Sequence, residues 1–84
     1  MLENTSLFTP SEIENAVINE VLEEVYYALK EKGYNPINQL VGYLTTGDAS
    51  YISSYQNARN KILGIDRAKI LQVLLESYIE KWKY

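Results

Sequence analysis

The sequence has no cysteine and no histidine among its 84 residues, and this double absence removes several kinds of chemistry. Without cysteine the chain has no disulfide, no thiol nucleophile and no thiolate metal ligand. Without histidine it lacks the commonest general base, and no lysine is spaced to activate a serine. We therefore expect a protein that is not an enzyme and that binds no cofactor or metal.

Long hydrophobic runs are also missing. No stretch approaches the ~18 consecutive apolar residues that indicate a transmembrane helix. The first residues have neither the basic segment nor the apolar segment of a signal peptide. We expect no membrane insertion and a cytoplasmic location.

Positive charge is scarce, with eight Lys and Arg against eleven Asp and Glu and a formal net charge of −3. A domain that binds nucleic acid usually carries a basic patch and a high isoelectric point. Nucleic acid is therefore a disfavoured partner. A small nucleic-acid-binding protein stays as the alternative function, because short helices joined by tight turns resemble a helix-turn-helix.

Apolar residues, in contrast, are abundant for so short a chain. They make up 46% of the sequence, and eight residues are tyrosines. A chain of this length forms one domain, and a domain this small buries only about 60% of its unfolded surface. The excess of apolar and aromatic surface predicts a protein that binds another protein.

Helix signals divide the chain into an N-terminal arm, residues 1–8, and a helical domain, residues 9–84. The arm shows no periodicity, and we expect it to be flexible. Thr9, followed by proline, is an N-cap, and Glu12 stands where a capping box requires an acid. The apolar spacing then predicts a first helix over residues 11–32.

Three further helices are predicted. Asn35, followed by proline, begins a second helix that ends near Gly47. A third helix covers residues 53–63 and stops at Gly64. Asp66 caps the fourth helix. With no strand-like alternation, the sequence predicts an all-α fold, a compact four-helix domain.

The first and last helices carry wider apolar faces than one core contact needs. The apolar positions of the first helix spread over roughly 180°, compared with about 100° for a helix that meets one core. Two copies that meet through these faces would bury the excess. We therefore predict a homodimer.

Two residues stand out from the helical pattern. Gly42 lies inside the second helix, where glycine costs up to ~1 kcal/mol relative to alanine, and we expect a close helix crossing there. Arg59 is able to hold a phosphate or a partner carboxylate in a bidentate grip. The plainer alternative, which we favour, is that Arg59 pairs with an acid of the first helix.

The block GYNPINQLVGY at residues 33–43 is unusual for a single protein. Together with three later matches it resembles the IreB family of small bacterial regulatory phosphoproteins, over nearly the whole chain. These matches are Gly47-Asp48, Tyr51-Ile52 and Asn57-Ala58-Arg59. The resemblance implies a helical homodimer whose flexible arm bears threonine phosphoacceptors.

The resemblance also implies a function. It implies a substrate of a membrane-bound Ser/Thr kinase with extracellular PASTA domains, which senses the state of the cell wall. Such proteins are negative regulators in the pathway that governs cephalosporin resistance. The downstream protein on which the chain acts is not identified by the sequence.

The arm pattern of the family is a threonine three residues before a phenylalanine, and here Thr5 and Phe8 match it. The resemblance therefore implies that Thr5 is the phosphoacceptor. The family's other acceptor lies three residues earlier, where this chain has Leu2, and Ser6 or Thr9 are the candidates to replace it. Phosphate is favoured near a helix N-terminus by ~0.3–1 kcal/mol. We expect the modified arm to order against the first helix or Arg59.

Overall fold

The computed structural model describes residues 9–82, which form four α-helices and no strand. Two short 3₁₀ turns, Ala49–Tyr51 and Tyr55–Asn57, connect the second helix to the third. The all-α, four-helix prediction is confirmed. The predicted arm, residues 1–8, lies outside the described residues. The helices are α1 Pro10–Glu31, α2 Pro36–Thr46, α3 Ala58–Leu63 and α4 Arg67–Glu80.

The predicted capping signals form as hydrogen bonds. The Glu12 N–H donates to Thr9 Oγ1 at 3.2 Å, and the Thr9 N–H donates to Glu12 Oε1 at 2.9 Å, which completes the capping box. Asn35 caps α2 by accepting from the Asn38 N–H at 3.1 Å. At the C-terminal end of α2, Gly47 adopts a φ of +78°, a conformation that glycine enters without steric cost.

The predicted start of the third helix is wrong. The prediction placed it at residue 53, but α3 begins at Ala58. Gln56 and Asn57 have positive φ angles of 52° and 64°, which interrupt the helical backbone. The Arg59 side chain accounts for part of this geometry, because its Nε donates to the Ile52 carbonyl at 2.8 Å and holds the chain in a tight loop.

Gly42 does meet a close neighbour, but that neighbour is not another helix. A Cβ atom at Gly42 would lie 2.5 Å from ring atoms of Tyr51, which belongs to the first 3₁₀ turn. The expected helix crossing is therefore wrong. The structure assigns the close approach to a tyrosine ring that packs on α2.

A single core connects the four helices. Its central side chains are less than 2% exposed. They are Ile18, Val25 and Leu29 of α1, Ile52 of the loop between α2 and α3, Ile62 of α3 and Ile70 of α4. Tyr43 of α2 and Val73 of α4 complete the core. Burying each such side chain contributes about 1.5–3 kcal/mol, so this cluster fixes the arrangement of the helices.

Polar contacts between helices lie at the surface of this core. Lys61 of α3 pairs with Glu24 of α1 at 3.2 Å, and the side chains are about one third or more exposed. In addition, Arg67 Nη1 of α4 donates to the Leu44 carbonyl of α2 at 3.1 Å. Exposed ion pairs contribute at most about 1 kcal/mol, so these contacts orient the helices more than they stabilise them.

Candidate functional site

One side of α4 carries a row of exposed apolar side chains. At 3.6 residues per turn, these positions cover about 140° of the helix surface, next to the stripe that meets the core. Leu75, Tyr78 and Trp82 are 59%, 58% and 57% exposed, respectively. Trp82 follows the last helical residue, and its ring lies 6.0 Å from the Tyr78 ring, edge to face. We call this row the α4 stripe: Leu71, Leu74, Leu75, Tyr78, Ile79 and Trp82.

The α4 stripe adjoins an apolar groove formed by α1, α2 and α4. Leu74 belongs to both the stripe and the groove. Two α2 residues beside it, Ile37 and Val41, are 60% and 53% exposed. The groove has a volume of about 350 Å³ and is lined by Leu22, Glu23, Tyr26, Ile37, Leu40, Val41, Leu44 and Leu74.

The groove and the α4 stripe together form one continuous apolar face. Monomeric proteins rarely expose a contiguous apolar patch of more than a few hundred Å², and larger patches mark interaction sites. The groove contains a single charged side chain, Glu23, so it suits a partner that is itself apolar. This apolar face is the main candidate functional site.

The described residues show no site for a metal ion and no membrane-spanning helix. Among residues 9–82, no group of three or more acidic side chains lies close enough to hold a metal ion. Over the same residues, no helix combines the length and the apolar composition that crossing a membrane requires.

Arg59 lies beside the loop before α3 and is half-buried. In addition to the bond from its Nε to the Ile52 carbonyl, its backbone N–H donates to the Ser53 carbonyl at 3.1 Å. Among the described residues, the side chains that pair with acids of α1 are the neighbouring Lys61 and, from α4, Lys69. The favoured pairing of Arg59 with α1 is therefore not what the structure shows. The pKa of Asp48 is lowered mainly by hydrogen bonds from Ser50, and the Arg59 charge is a minor further cause.

A second polar cluster holds the same loop against the end of α1. The Tyr55 hydroxyl is hydrogen-bonded to Glu31, and this bond raises the pKa of the Tyr55 phenol. Gln56 Nε2 donates to the Glu31 carboxylate at 3.4 Å, and Lys32 Nζ lies 5.2 Å from the centre of the Tyr55 ring. These contacts support the left-handed backbone at Gln56, which is unfavourable for a residue other than glycine or asparagine.

The basic side chains around α3 and α4 are engaged in contacts within the domain. Arg59 and Arg67 donate to backbone carbonyls, and Lys61 and Lys69 pair with acids of α1. A duplex-binding domain presents such charges to phosphates instead. This part of the chain therefore favours a protein-binding surface over a nucleic-acid interface.

Of the residues proposed to accept phosphate, Thr5 and Ser6 lie outside the described part of the chain, as does the departure at Leu2. Thr9 is described, and its hydroxyl is engaged. It accepts the Glu12 N–H and lies 3.1 Å from Ser11 Oγ. The structure does not bring Thr9 and Arg59 together in any hydrogen bond of the described residues.

Sequence reasoning missed the contribution of α2 to the apolar face. The spacing of Ile37, Leu40, Val41 and Leu44 reads as one buried stripe, yet the fully buried residue of α2 is Tyr43. The available signal was that this short helix is apolar on two sides. Such a helix is able to meet a core and a partner at once.

Comparison with known proteins assigns the chain to a family. The family model described as IreB regulatory phosphoprotein matches residues 3–80. A similar protein, named UPF0297 protein, occurs in Lachnoclostridium phytofermentans and is 43% identical over 79 residues, which cover 94% of this chain and 90% of that protein. The family match covers residues 3–8 of the arm, the four helices and the apolar face except Trp82. The chain therefore belongs to the IreB family of regulatory phosphoproteins.

Proposed function

We propose that this chain is a non-enzymatic bacterial regulator that is phosphorylated on Thr5 by a membrane-bound Ser/Thr kinase with PASTA domains. It acts in the cytoplasm, in cell-wall stress and cephalosporin-resistance signalling. It pairs as a homodimer and binds a downstream protein. The observation that carries this proposal is membership of a regulatory phosphoprotein family over residues 3–80.

The choice of Thr5 as acceptor is supported by the hydrogen bonding of the Thr9 hydroxyl, which is already used in the helix cap. The Thr9 hydroxyl accepts a hydrogen bond from the first turn of α1, so a phosphate on it would disrupt the capping box. Replacing an N-cap interaction costs about 0.5–2 kcal/mol. Thr5 lies four residues before the cap, and its modification leaves these bonds intact. Ser6, which also precedes the cap, is the remaining candidate for the family's other acceptor, whose position is Leu2 here.

Arg59 is proposed as a contact for a phosphate or for a partner carboxylate. The bond from Arg59 Nε to the Ile52 carbonyl fixes the orientation of the guanidinium group. A fixed, planar guanidinium loses little freedom when it binds a second acceptor with its terminal nitrogens.

The homodimer is supported by the apolar face. Its exposed side chains lie on α2 and on α4, and five of them are more than half exposed: Ile37, Val41, Leu75, Tyr78 and Trp82. A symmetric pair would place the same surface of each copy against the other, as C2 interfaces do. A dimer formed this way leaves α3 and Arg59 outside the α4 stripe and available to a further partner.

The kinase proposal is tested by a phosphorylation assay. The full chain is incubated with ATP, Mg²⁺ and the catalytic domain of a PASTA-type kinase, and the modified residue is mapped by mass spectrometry. We expect one phosphate on Thr5 that is absent from Thr5→Ala. Ser6→Ala serves as the matched control and is expected to be modified like the wild type.

Two other outcomes of the phosphorylation assay would contradict parts of this proposal. Phosphate on Ser6 or Thr9, with Thr5→Ala still fully modified, would show that the acceptor assignment is wrong. No phosphate on any residue, while the kinase modifies itself, would contradict the proposal that this chain is a substrate.

A further inference from the structure

A second apolar patch lies on α1, on the side of the helix that faces away from the core. It is a shallow depression of about 570 Å³ lined by Glu12, Ile13, Ala16, Val17 and Glu20. Ile13 and Val17 are 55% and 49% exposed. The patch is separate from the apolar face, because it shares no lining residue with the groove and contains no residue of α4.

We propose that this patch is the docking site for the chain's own residues 1–8, with Phe8 against Ile13, and that negative charge on Thr5 releases them. The docking is argued from the geometry of α1 and the sequence of residues 1–8, and it does not depend on phosphorylation. The release half rests on the proposed function, which places a phosphate on Thr5.

The N-terminus of α1 carries the first argument. Thr9 is the N-cap, and both hydrogen bonds of its capping box are present. Helices with this cap commonly add a hydrophobic staple, in which the residue before the cap packs against the fourth helical residue. Those two positions are occupied here by Phe8 and Ile13. Both are large and apolar, as the staple requires.

The length and composition of the segment carry the second argument. Eight extended residues reach at most about 26–29 Å, whereas the patch from Ile13 to Glu20 covers about 10 Å along the helix axis. The segment ends directly at the cap, next to the patch. Its apolar side chains match the apolar centre of the patch: Met1, Leu2, Leu7 and Phe8.

The rim of the patch carries the argument for release. Glu12 and Glu20 line it at its two ends along the helix axis. A phosphate on Thr5 adds about −1.5 to −2 charges, and these are repelled by the two carboxylates. The helix N-terminus offers little compensation, because Pro10 has no N–H and the N–H groups of Thr9 and Glu12 are used by the capping box.

Docking of the unmodified segment is the reverse of the expectation that modification orders the arm against the first helix or Arg59. The unmodified segment, in which Thr5 is neutral, is the form that docks. Addition of charge exposes both the segment and the α1 patch. Phosphorylation would thereby present a new apolar surface to a partner without changing the core.

The docking is tested by ¹⁹F NMR, since Phe8 is the only phenylalanine in the chain. The full-length protein is produced with 4-fluorophenylalanine, and its resonance is compared with that of a free peptide of residues 1–9. We expect the Phe8 resonance of the full-length protein to be shifted from that of the free peptide. Ile13→Ala should lower the ratio of docked to free segment about tenfold, which corresponds to about 1.4 kcal/mol. Ile37→Ala, the matched control on α2, should leave the resonance in place.

The release is tested on the same resonance without any kinase. Thr5→Glu should move the Phe8 signal towards the free position, and the added change Glu20→Gln should move it back in part. The effect of Thr5→Glu should shrink in about 1 M salt, where charges are screened within about 3 Å. Thr5→Gln provides the uncharged control and should behave like the wild type.

Three results would overturn the proposal or one half of it. A wild-type resonance at the free-peptide position would overturn the docking. A shifted resonance that returns to the free position on dilution would show that a second copy holds the segment instead. An unchanged resonance in Thr5→Glu would overturn the release. None of these results depends on the kinase, so a failed phosphorylation assay contradicts the proposed function and leaves the docking measurable.

Discussion

At the scale of single residues, the contact between Gly42 and Tyr51 explains a glycine that helix propensity alone disfavours. Alanine would be the better helix former at this position by up to about 1 kcal/mol. The Tyr51 ring, however, occupies the space that a Cβ atom would take. The Gln39 side chain donates to the Tyr51 carbonyl at 2.9 Å and fixes the turn at this place. The missing side chain therefore allows the 3₁₀ turn to pack directly on α2.

We predict that Gly42→Ala lowers the free energy of unfolding by about 1–3 kcal/mol, the usual cost of overpacking. Urea denaturation followed by circular dichroism measures the change. The matched control is Gly64→Ala, where the nearest atom to a new Cβ is the Lys61 carbonyl oxygen at 3.5 Å. We expect this control to be neutral or stabilising. A Gly42→Ala protein as stable as the wild type would show that the Tyr51 ring moves away without cost.

At the scale of elements, the N-terminal ends of α1, α2 and α4 could be predicted because each has a local chemical signal. Thr9, Asn35 and Asp66 cap the N-termini as their types and positions indicate. The start of α3 could not be predicted in this way. It depends on the bond between Arg59 Nε and the Ile52 carbonyl, seven residues earlier, and on the contacts of Gln56 with Glu31 of α1. Such contacts exist only once the helices have packed.

The first 3₁₀ turn gives a prediction for acid. Asp48 caps this turn, and the Ser50 N–H donates to its Oδ1 at 3.0 Å. This hydrogen bond is the main cause that lowers the pKa of Asp48 below its ordinary value of 3.8. Because the pKa is lower in the folded state, the ionised cap stabilises the fold above the ordinary pKa. That contribution is lost as the pH falls through the lowered value.

Asp48→Asn tests this linkage, since asparagine also caps but does not titrate. We expect the wild type to lose more stability than Asp48→Asn between neutral pH and about pH 3. The measurement is the denaturation midpoint of both proteins at the two pH values. Equal losses in the two proteins would contradict the assigned role of the Asp48 carboxylate.

At the scale of the whole molecule, the chain divides its apolar residues between a core and a surface. The sequence predicts that there are too many for a core alone, and the exposed apolar face confirms this excess. It does not predict which apolar residues enter the core and which lie on the surface. Ile13 and Val17 share the helical spacing of α1 but lie away from the core, and Tyr43, not the regular stripe of α2, is buried. The choice depends on how the helices cross, which periodicity does not encode.

The arm and its acceptor illustrate the remaining limit of sequence reasoning. The role of Thr5 as phosphoacceptor is a proposal that rests on resemblance to a family, and the chain matches that family over residues 3–80. The α1 patch, in contrast, becomes visible only in the structure, because the wide apolar arc of the first helix does not show which of its residues lie away from the core.

The proposed homodimer joins two copies of the chain through the apolar face, which consists of the α4 stripe and its groove. Sedimentation equilibrium of the full chain at micromolar concentration tests it most directly. We predict a mass of twice the 9.7 kDa of one chain. Leu75→Glu, in the middle of the α4 stripe, should give the mass of a single folded chain. Leu63→Glu, a matched exposed leucine on α3, should stay paired. A wild-type mass of one chain at all concentrations would contradict the claim.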